Sequence, residues 1–215
     1  MNNLSLNDKL KCIGFRLSGG SAIKKNSEWV DIERTLYEAS LAVAEDSRLL
    51  SLLCSWVSVH GDRVIIEKLM RLQREKPSVW LVAIAVFGFE QGFHKWKRLI
   101  KRQKNRVYLI DESLALSAIE LKGIEPGMGK YNLMVPRGAI RARERDVLTE
   151  RELIGINKQY RNRVMFGAAI RADIMTAIEA GIKTPYAIAK IVGCSYEPAH
   201  RVFREYQLLN DLKAG

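Results

Sequence analysis

Cysteine is scarce in this 215-residue chain: Cys12, Cys54 and Cys194 stand far apart and odd in number. No CxxC pair occurs and no histidine lies near any of them. Neither a disulfide framework nor a zinc site is indicated, and a reducing cytoplasm is the default compartment. Each cysteine sits in an apolar helical context that suits a small core side chain. The chain also lacks a long apolar run. Its greasiest stretch, Val79 to Phe89, is about half the length a membrane helix needs. The N-terminal MNNLSLNDKLKC has neither the charged start nor the apolar core of a signal peptide. A soluble, cytoplasmic protein with no membrane association is expected. Catalytic motifs are missing too, with no Ser-His-Asp order, dinucleotide glycine fingerprint or HExxH. The carboxylates a metal-dependent nuclease would want reduce to Asp111 with Glu112 and Glu144 with Asp146, and both pairs suit capping or surface roles better. No enzyme, cofactor or metal site is expected.

What the chain has in excess is positive charge. The formal net charge is +11, which raises the local concentration of polyanions and favours nucleic acid or an acidic membrane surface. A basic protein merely kept soluble by its charge is the plain alternative. Apolar content is 47%, enough for one large domain or two small ones with real cores.

Helical periodicity dominates. Ser5 caps a short first helix, and Arg16 to Asn26 reads as a loop. Its Gly19-Gly20-Ser21 lacks P-loop spacing, so a plain loop is favoured over an anion site. From Trp29 to Ala44 the residues Ile32, Leu36, Leu41 and Val43 share a helical face, with Glu33 and Arg34 pointing elsewhere. A weak repeat follows. Ser47 to Gly61 and Ser78 to Gly92 each show a serine start, an apolar helix and a glycine stop. Two αα-hairpins packed side by side follow from it. Val107 to Ile110 reads as a short strand or helix start, and Asp111 to Leu121 as helix. Lys122 to Arg137, rich in glycine and proline, is the best linker. Thr149 heads a helix, and a longer one runs from about Arg161 to Ala180, ended by Gly181.

Two basic stretches stand out. Seven of the twelve residues from Lys95 to Arg106 are basic and none is acidic: Lys95, Lys97, Arg98, Lys101, Arg102, Lys104 and Arg106. Such density suits contacts to phosphates, and equally a solvated helix end at the negative pole of its dipole. Trp96 falls on the face of Leu99 and Ile100, as a core residue would. Arg137, Arg141, Arg143 and Arg145 form a second, weaker patch. It suits an arm along a nucleic-acid backbone or a linker salt-bridged to the folded parts.

The strongest constellation is Pro185 to Arg204. Thr184 caps a helix and Pro185 takes its first position, where the missing N–H costs nothing. Counting from Pro185, Ala189 is fifth, where a larger side chain would push two crossing helices apart. Gly193 is ninth, where positive φ is cheapest. Ile188, Val192, Cys194, Ala199 and Val202 occupy inward places. At all these positions the stretch resembles the DNA-binding helix-turn-helix of bacterial regulators. The resemblance covers about twenty residues, or about fifty with the preceding helix. It implies that the helix 197–207 enters the major groove, with Ser195, Tyr196, Glu197, His200, Arg201 and Arg204 on its outward side. Lys190 and Tyr186 would reach the flanking backbone. So few residues follow Arg204 that a plain three-helix unit is expected rather than a winged one.

The expected fold is all-α. It comprises a helical domain over 1–122 for a partner or dimerisation, a basic linker over 123–148, and a helix-turn-helix domain over 149–215. The expected function is sequence-specific binding of double-stranded DNA by a homodimeric regulator of bacterial or phage type, a repressor. The alternative is a helical interaction protein, an antitoxin or accessory subunit, that binds DNA or RNA without sequence choice. RNA binding through Lys95–Arg106 is the third reading.

Overall fold

Side-chain caps set the helix starts. In the computed structural model, which describes residues 4–18 and 30–214, Ser5 accepts from the Asp8 N–H at 3.2 Å and opens α1 (Leu6–Cys12). Asp31 opens α2 (Ile32–Ala42) by accepting from the Arg34 N–H at 2.8 Å. The start of α3 (Arg48–His60) differs from expectation, because Ser47 makes no cap bond and Asp46 accepts from the Arg48 N–H at 3.0 Å instead. After α4 (Ile66–Glu75), Ser78 caps α5 (Val79–Glu90) as expected. The Gly19-Gly20-Ser21 loop lies outside the described residues.

Helix α5 is the centre of the larger core. Trp80 to Val86 are all buried, as required of a helix that is hydrophobic on every side. The expected repeat is only partly realised. Gly92 takes a φ of +91° after α5, but Gly61 has a φ of −55° and begins a 3₁₀ turn. Gly61 is small for a packing reason, since a Cβ there would stand 2.6 Å from the Phe93 ring. The two hairpins also diverge. Helix α3 returns as α4, whereas α5 is followed by a 3₁₀ segment, His94–Leu99, and then by irregular chain. Seven cations with no acidic neighbour offer no i,i+4 pairs to sustain an α-helix. Trp96 is fully buried, its indole N–H donating to the Gly61 carbonyl at 3.1 Å.

The segment expected as a linker is packed. Strand β1 (Val107–Tyr108) pairs in parallel with β2 (Leu133–Met134), Val107 opposite Leu133. Met128, Leu133, Val135, Ile140 and Val147 belong to the same apolar cluster as Trp56 and Leu69. The glycines and prolines of 123–148 make turns that let these residues reach the core. Between the strands, α6 (Glu112–Lys122) starts at Asp111 and buries only Ala115. A capping box of Thr149 and Glu152 opens α7 (Glu150–Ile156). The single helix expected from Arg161 to Ala180 is two: α8 (Lys158–Phe166) and α9 (Ile170–Glu179). Gly167, with a φ of +81°, and extended Ala169 separate them. Then come α10 (Pro185–Val192) and α11 (Tyr196–Ala214). The chain is therefore mostly helical, with two short parallel strands among the described residues. No described helix is long and apolar enough to cross a membrane.

Apolar burial divides the chain at the α8–α9 break. Leu153 of α7 and Tyr160 of α8 join the larger cluster, which begins at Leu10. The smaller cluster holds Ile174, Ala177, Ile178, Ile188, Ala189, Val192, Ala199 and Val202. The joint between the two is charged. Glu33, which helical periodicity turned away from the core, is fully buried on α2. Arg163 of α8 grips both its oxygens, at 2.6 and 2.7 Å, and both oxygens of Asp173 on α9, at 2.9 Å each. A fifth donation goes to the Arg63 carbonyl at 2.9 Å. Lys68 of α4 meets Asp31, Asp173 at 2.7 Å and Glu33 at 3.2 Å. Gln159 accepts from the Ile32 N–H at 3.0 Å and donates to Asp173 at 2.9 Å.

These settings fix ionisation. Burial pushes the Glu33 carboxyl up, but Arg163 and Lys68 outweigh it and hold the pKa at about 2. The same carboxylates raise Lys68 and Arg163 against the burial that would lower them. His60 is buried and neutral. Its Nε2–H donates to the Leu148 carbonyl at 2.9 Å, and Nδ1 accepts from the Tyr160 hydroxyl at 2.8 Å. Burial lowers its pKa from 6.5 to about 4.

Both groups stabilise the fold fully at pH 7, above their unfolded values. The His60 contribution is lost as pH falls from 6.5 towards 4, and the Glu33 contribution from 4.5 towards 2. Each shift corresponds to about 3 kcal/mol. Urea unfolding followed by circular dichroism should therefore show stability falling from pH 7 to pH 4.5, with a shallower fall in His60→Gln.

Candidate nucleic-acid interface

The C-terminal helices α9, α10 and α11 build a small head around their own apolar cluster. Thr184 accepts from the Ala187 N–H at 3.2 Å, and Pro185 stands in the first turn of α10. Gly193 ends α10 in the left-handed conformation, φ +70° and ψ +46°, and its N–H donates to the Ala189 carbonyl at 2.8 Å. The inward positions read from the sequence are inward here. Ile188, Ala189, Val192, Ala199 and Val202 are buried, and Cys194 is half-buried against the same cluster. Among the described residues α11 runs to Ala214 and no strand follows it.

The opposite side of α11 is open. Ser195, Tyr196, Glu197, His200, Arg201 and Arg204 are all exposed. At 3.6 residues per turn, Glu197, His200, Arg201 and Arg204 fall on one side, away from Ala199 and Val202. No described carboxylate pairs with Arg201 or Arg204. The neighbouring Arg171 does pair, with Glu205 at 2.8 Å. The rings of Tyr196 and His200 stack with centroids 5.5 Å apart, giving the first turn a flat aromatic surface. On α10, Lys190 and Tyr186 are exposed, Tyr186 by 72%. A helix presenting exposed guanidinium groups and a hydrogen-bonding first turn can donate to base edges and phosphates.

The basic stretches separate into committed and free cations. Lys95 is committed: its ammonium donates to the Asp62 and Val64 carbonyls at 2.5 and 3.0 Å, and burial lowers its pKa. Arg98 pairs with Glu67, and Lys97 lies 6.0 Å from the Phe89 ring centroid. Lys101, Arg102, Lys104 and Arg106 are exposed in a segment that is neither helix nor strand. That chain is pinned where the Gln103 N–H donates to the Tyr131 carbonyl at 3.1 Å, and where Asn132 donates to the Gln103 carbonyl at 2.7 Å. Arg137, Arg141, Arg143 and Arg145 are exposed. Their segment is fastened to α3 by donation from the Arg141 and Arg143 N–H groups to Ser51 and Ser55, at 2.8 and 3.0 Å.

Of these residues Arg98 shares a concavity with the head. A cleft of about 560 Å³ lies between α4, the His94–Leu99 turn, the start of α9 and Gly193. Arg71 and Arg74 of α4 line it and were not singled out from the sequence, where they sit in an ordinary amphipathic helix with acids on either side. Arg71 donates to the Gly193 carbonyl, joining α4 to the turn before α11. The carboxylates that approach one another are also not those read from the sequence. Asp31, Glu33 and Asp173 have oxygens within 4.8 Å, but Lys68 and Arg163 fill the space between them. Asp111 caps α6, and Glu144 and Asp146 lie in an exposed 3₁₀ turn that buries none of its residues.

Comparison with protein-family models, with curated protein sequences and with solved structures finds no match to this chain.

Gly193→Ala should destabilise the head. The left-handed backbone costs a side chain about 1–2 kcal/mol, and the new Cβ would stand 2.7 Å from the Arg71 guanidinium. Hydrogen exchange should show faster opening of α10 and α11 with little change in α5, and uniform loosening would contradict a separately packed head.

Proposed function

We propose that the chain is a sequence-specific double-stranded DNA-binding protein, a regulator of bacterial or phage type acting as a repressor in the cytoplasm. The observation that carries this reading is the head itself. Its inward positions are buried around a left-handed Gly193, while Arg201 and Arg204 are exposed and no described carboxylate pairs with them. In this reading α11 enters the major groove. Arg201 and Arg204 donate to guanine O6 and N7 or to phosphates, His200 and Glu197 meet base edges, and Ser195 and Tyr196 meet backbone oxygens. Lys190 and Tyr186 reach the flanking strand.

Two half-sites require two heads, so a homodimer belongs to the proposal. The surface we assign to it is α6, where Leu114 and Leu121 are 62% and 84% exposed, seven residues apart on one stripe. An isolated helix of this length is marginal in water, and its apolar stripe favours a partner. Antiparallel pairing of two copies would set Leu114 against Leu121 of the second copy. It would bring Lys122 towards the acidic Asp111–Glu112 end and oppose the two helix dipoles.

A helical accessory protein is the second reading, favoured by one observation. Lys101, Arg102, Lys104 and Arg106 are exposed on an irregular segment outside the head, where they would track a nucleic-acid backbone without reading it. Such binding has a steep salt slope and little preference among sequences, and RNA would compete with duplex DNA.

With duplexes enriched from a random pool, Arg201→Ala with Arg204→Ala should weaken binding by at least about tenfold in fluorescence anisotropy. Unchanged affinity would remove α11 from the interface. In sedimentation velocity the protein should run as a dimer, and Leu114→Glu with Leu121→Glu as a folded monomer. A monomeric parent would end the self-association proposal.

A further inference from the structure

The cleft beside Gly193 has a composition that its neighbours do not consume. Arg71, Arg74 and Arg98 converge on it from α4 and the His94–Leu99 turn, and among the described residues Glu67, paired with Arg98, is the one acid on its wall outside the buried ion network. Lys68 also reaches the wall, but its charge is spent on Asp31, Glu33 and Asp173. Arg71 uses one N–H on the Gly193 carbonyl, and Arg74 has no ion-pair partner among the described residues. Three guanidinium groups against one carboxylate leave the cleft cationic. Guanidinium forks match tetrahedral oxyanions in shape as well as charge. The start of α9 forms another wall, and no side chain caps it. The Asp173 carboxylate in its first turn is held inside by Arg163, so backbone N–H groups add to the same field.

We infer that this cleft is a phosphate-binding site, with Arg74 and Arg98 as the contacting groups and Arg71 as the residue that couples the site to the head. Gly193 and Tyr196 are three residues apart, so a phosphate in the cleft lies within about 10 Å of chain from the start of α11. A phosphate can reach the cleft from two sources. It belongs to the backbone of the duplex that α11 reads, a source that rests on the proposed function, or to a free phosphorylated ligand.

Calorimetry with inorganic pyrophosphate as the probe tests the site without DNA. The parent protein should bind it, and Arg74→Ala with Arg98→Ala should weaken binding about tenfold or more, while Arg201→Ala with Arg204→Ala should not. Both arginines are exposed, so thermal melting of the double variant should match the parent. Anisotropy with labelled duplex separates the sources. If the duplex occupies the cleft, pyrophosphate competes with DNA, and the Arg74, Arg98 variant loses affinity equally for all sequences with a salt slope lower by about 2. If a free ligand occupies it, pyrophosphate binds while DNA affinity is the same in the double variant. Equal pyrophosphate binding by parent and double variant overturns the inference. Loss of the DNA reading would show separately, as indifference to the Arg201 and Arg204 substitutions.

Discussion

Arg163 has five N–H donors and all five are used: two on Glu33, two on Asp173 and one on the Arg63 carbonyl. A guanidinium that is fully buried tolerates nothing less, because each unpaired donor would carry its whole desolvation cost. The three carboxylates and two cations of this joint come from α2, α4, α8 and α9 and from the cap of α2. Their positions must be right together or not at all. The mutual placement of the larger core and the C-terminal head is fixed by this requirement more than by apolar contact, which is divided into two clusters.

A charged joint differs from an apolar one in what it specifies. Apolar surfaces can slide by a fraction of a turn and still bury area. Bidentate pairs at 2.6–2.9 Å cannot. The joint therefore contributes geometry, while the apolar clusters on either side contribute most of the driving force. Secondary ties follow the same pattern. Arg161 meets Glu179 at 2.8 Å and Asn162 meets Thr176 at 3.0 Å between α8 and α9, and Arg71 holds the Gly193 carbonyl. The exposed side of α11 is thus oriented by polar contacts at its back.

The head was legible in the sequence because everything that defines it is local. A cap at Thr184, a proline at Pro185, a left-handed glycine at Gly193 and inward residues at helical spacing lie within about twenty positions. Helix existence was legible elsewhere for the same reason, as at Ser5, Ser78, Asp111 and Thr149. The joint was not legible. Glu33 and Arg163 are 130 residues apart, and periodicity turned Glu33 away from the apolar face because a charged side chain carries no mark of a distant partner. The linker was misread through a related ambiguity. Glycine and proline mark turns inside a packed segment as readily as a tether between domains, and only the burial of residues such as Leu133 and Val135 separates the two. The break at Gly167 was hidden by apolar residues that continue on both sides of it. Arg71 and Arg74 were invisible as site residues because their cleft exists only once α4 lies against the turn at Gly193.

The position of Asp173 bears on modularity. Small three-helix units are often treated as cassettes that can be cut from one chain and joined to another. Here the first helix of the head carries a buried carboxylate whose counter-charges, Lys68 and Arg163, both lie outside it. A transplanted segment 170–214 would bury that carboxylate unpaired, at a cost of about 3–5 kcal/mol, or turn it to water and lose its orientation. Exchange of this head between proteins thus requires its sockets on α4 and α8 to travel with it. The unit that can be moved intact is larger than the three helices that pack as the head.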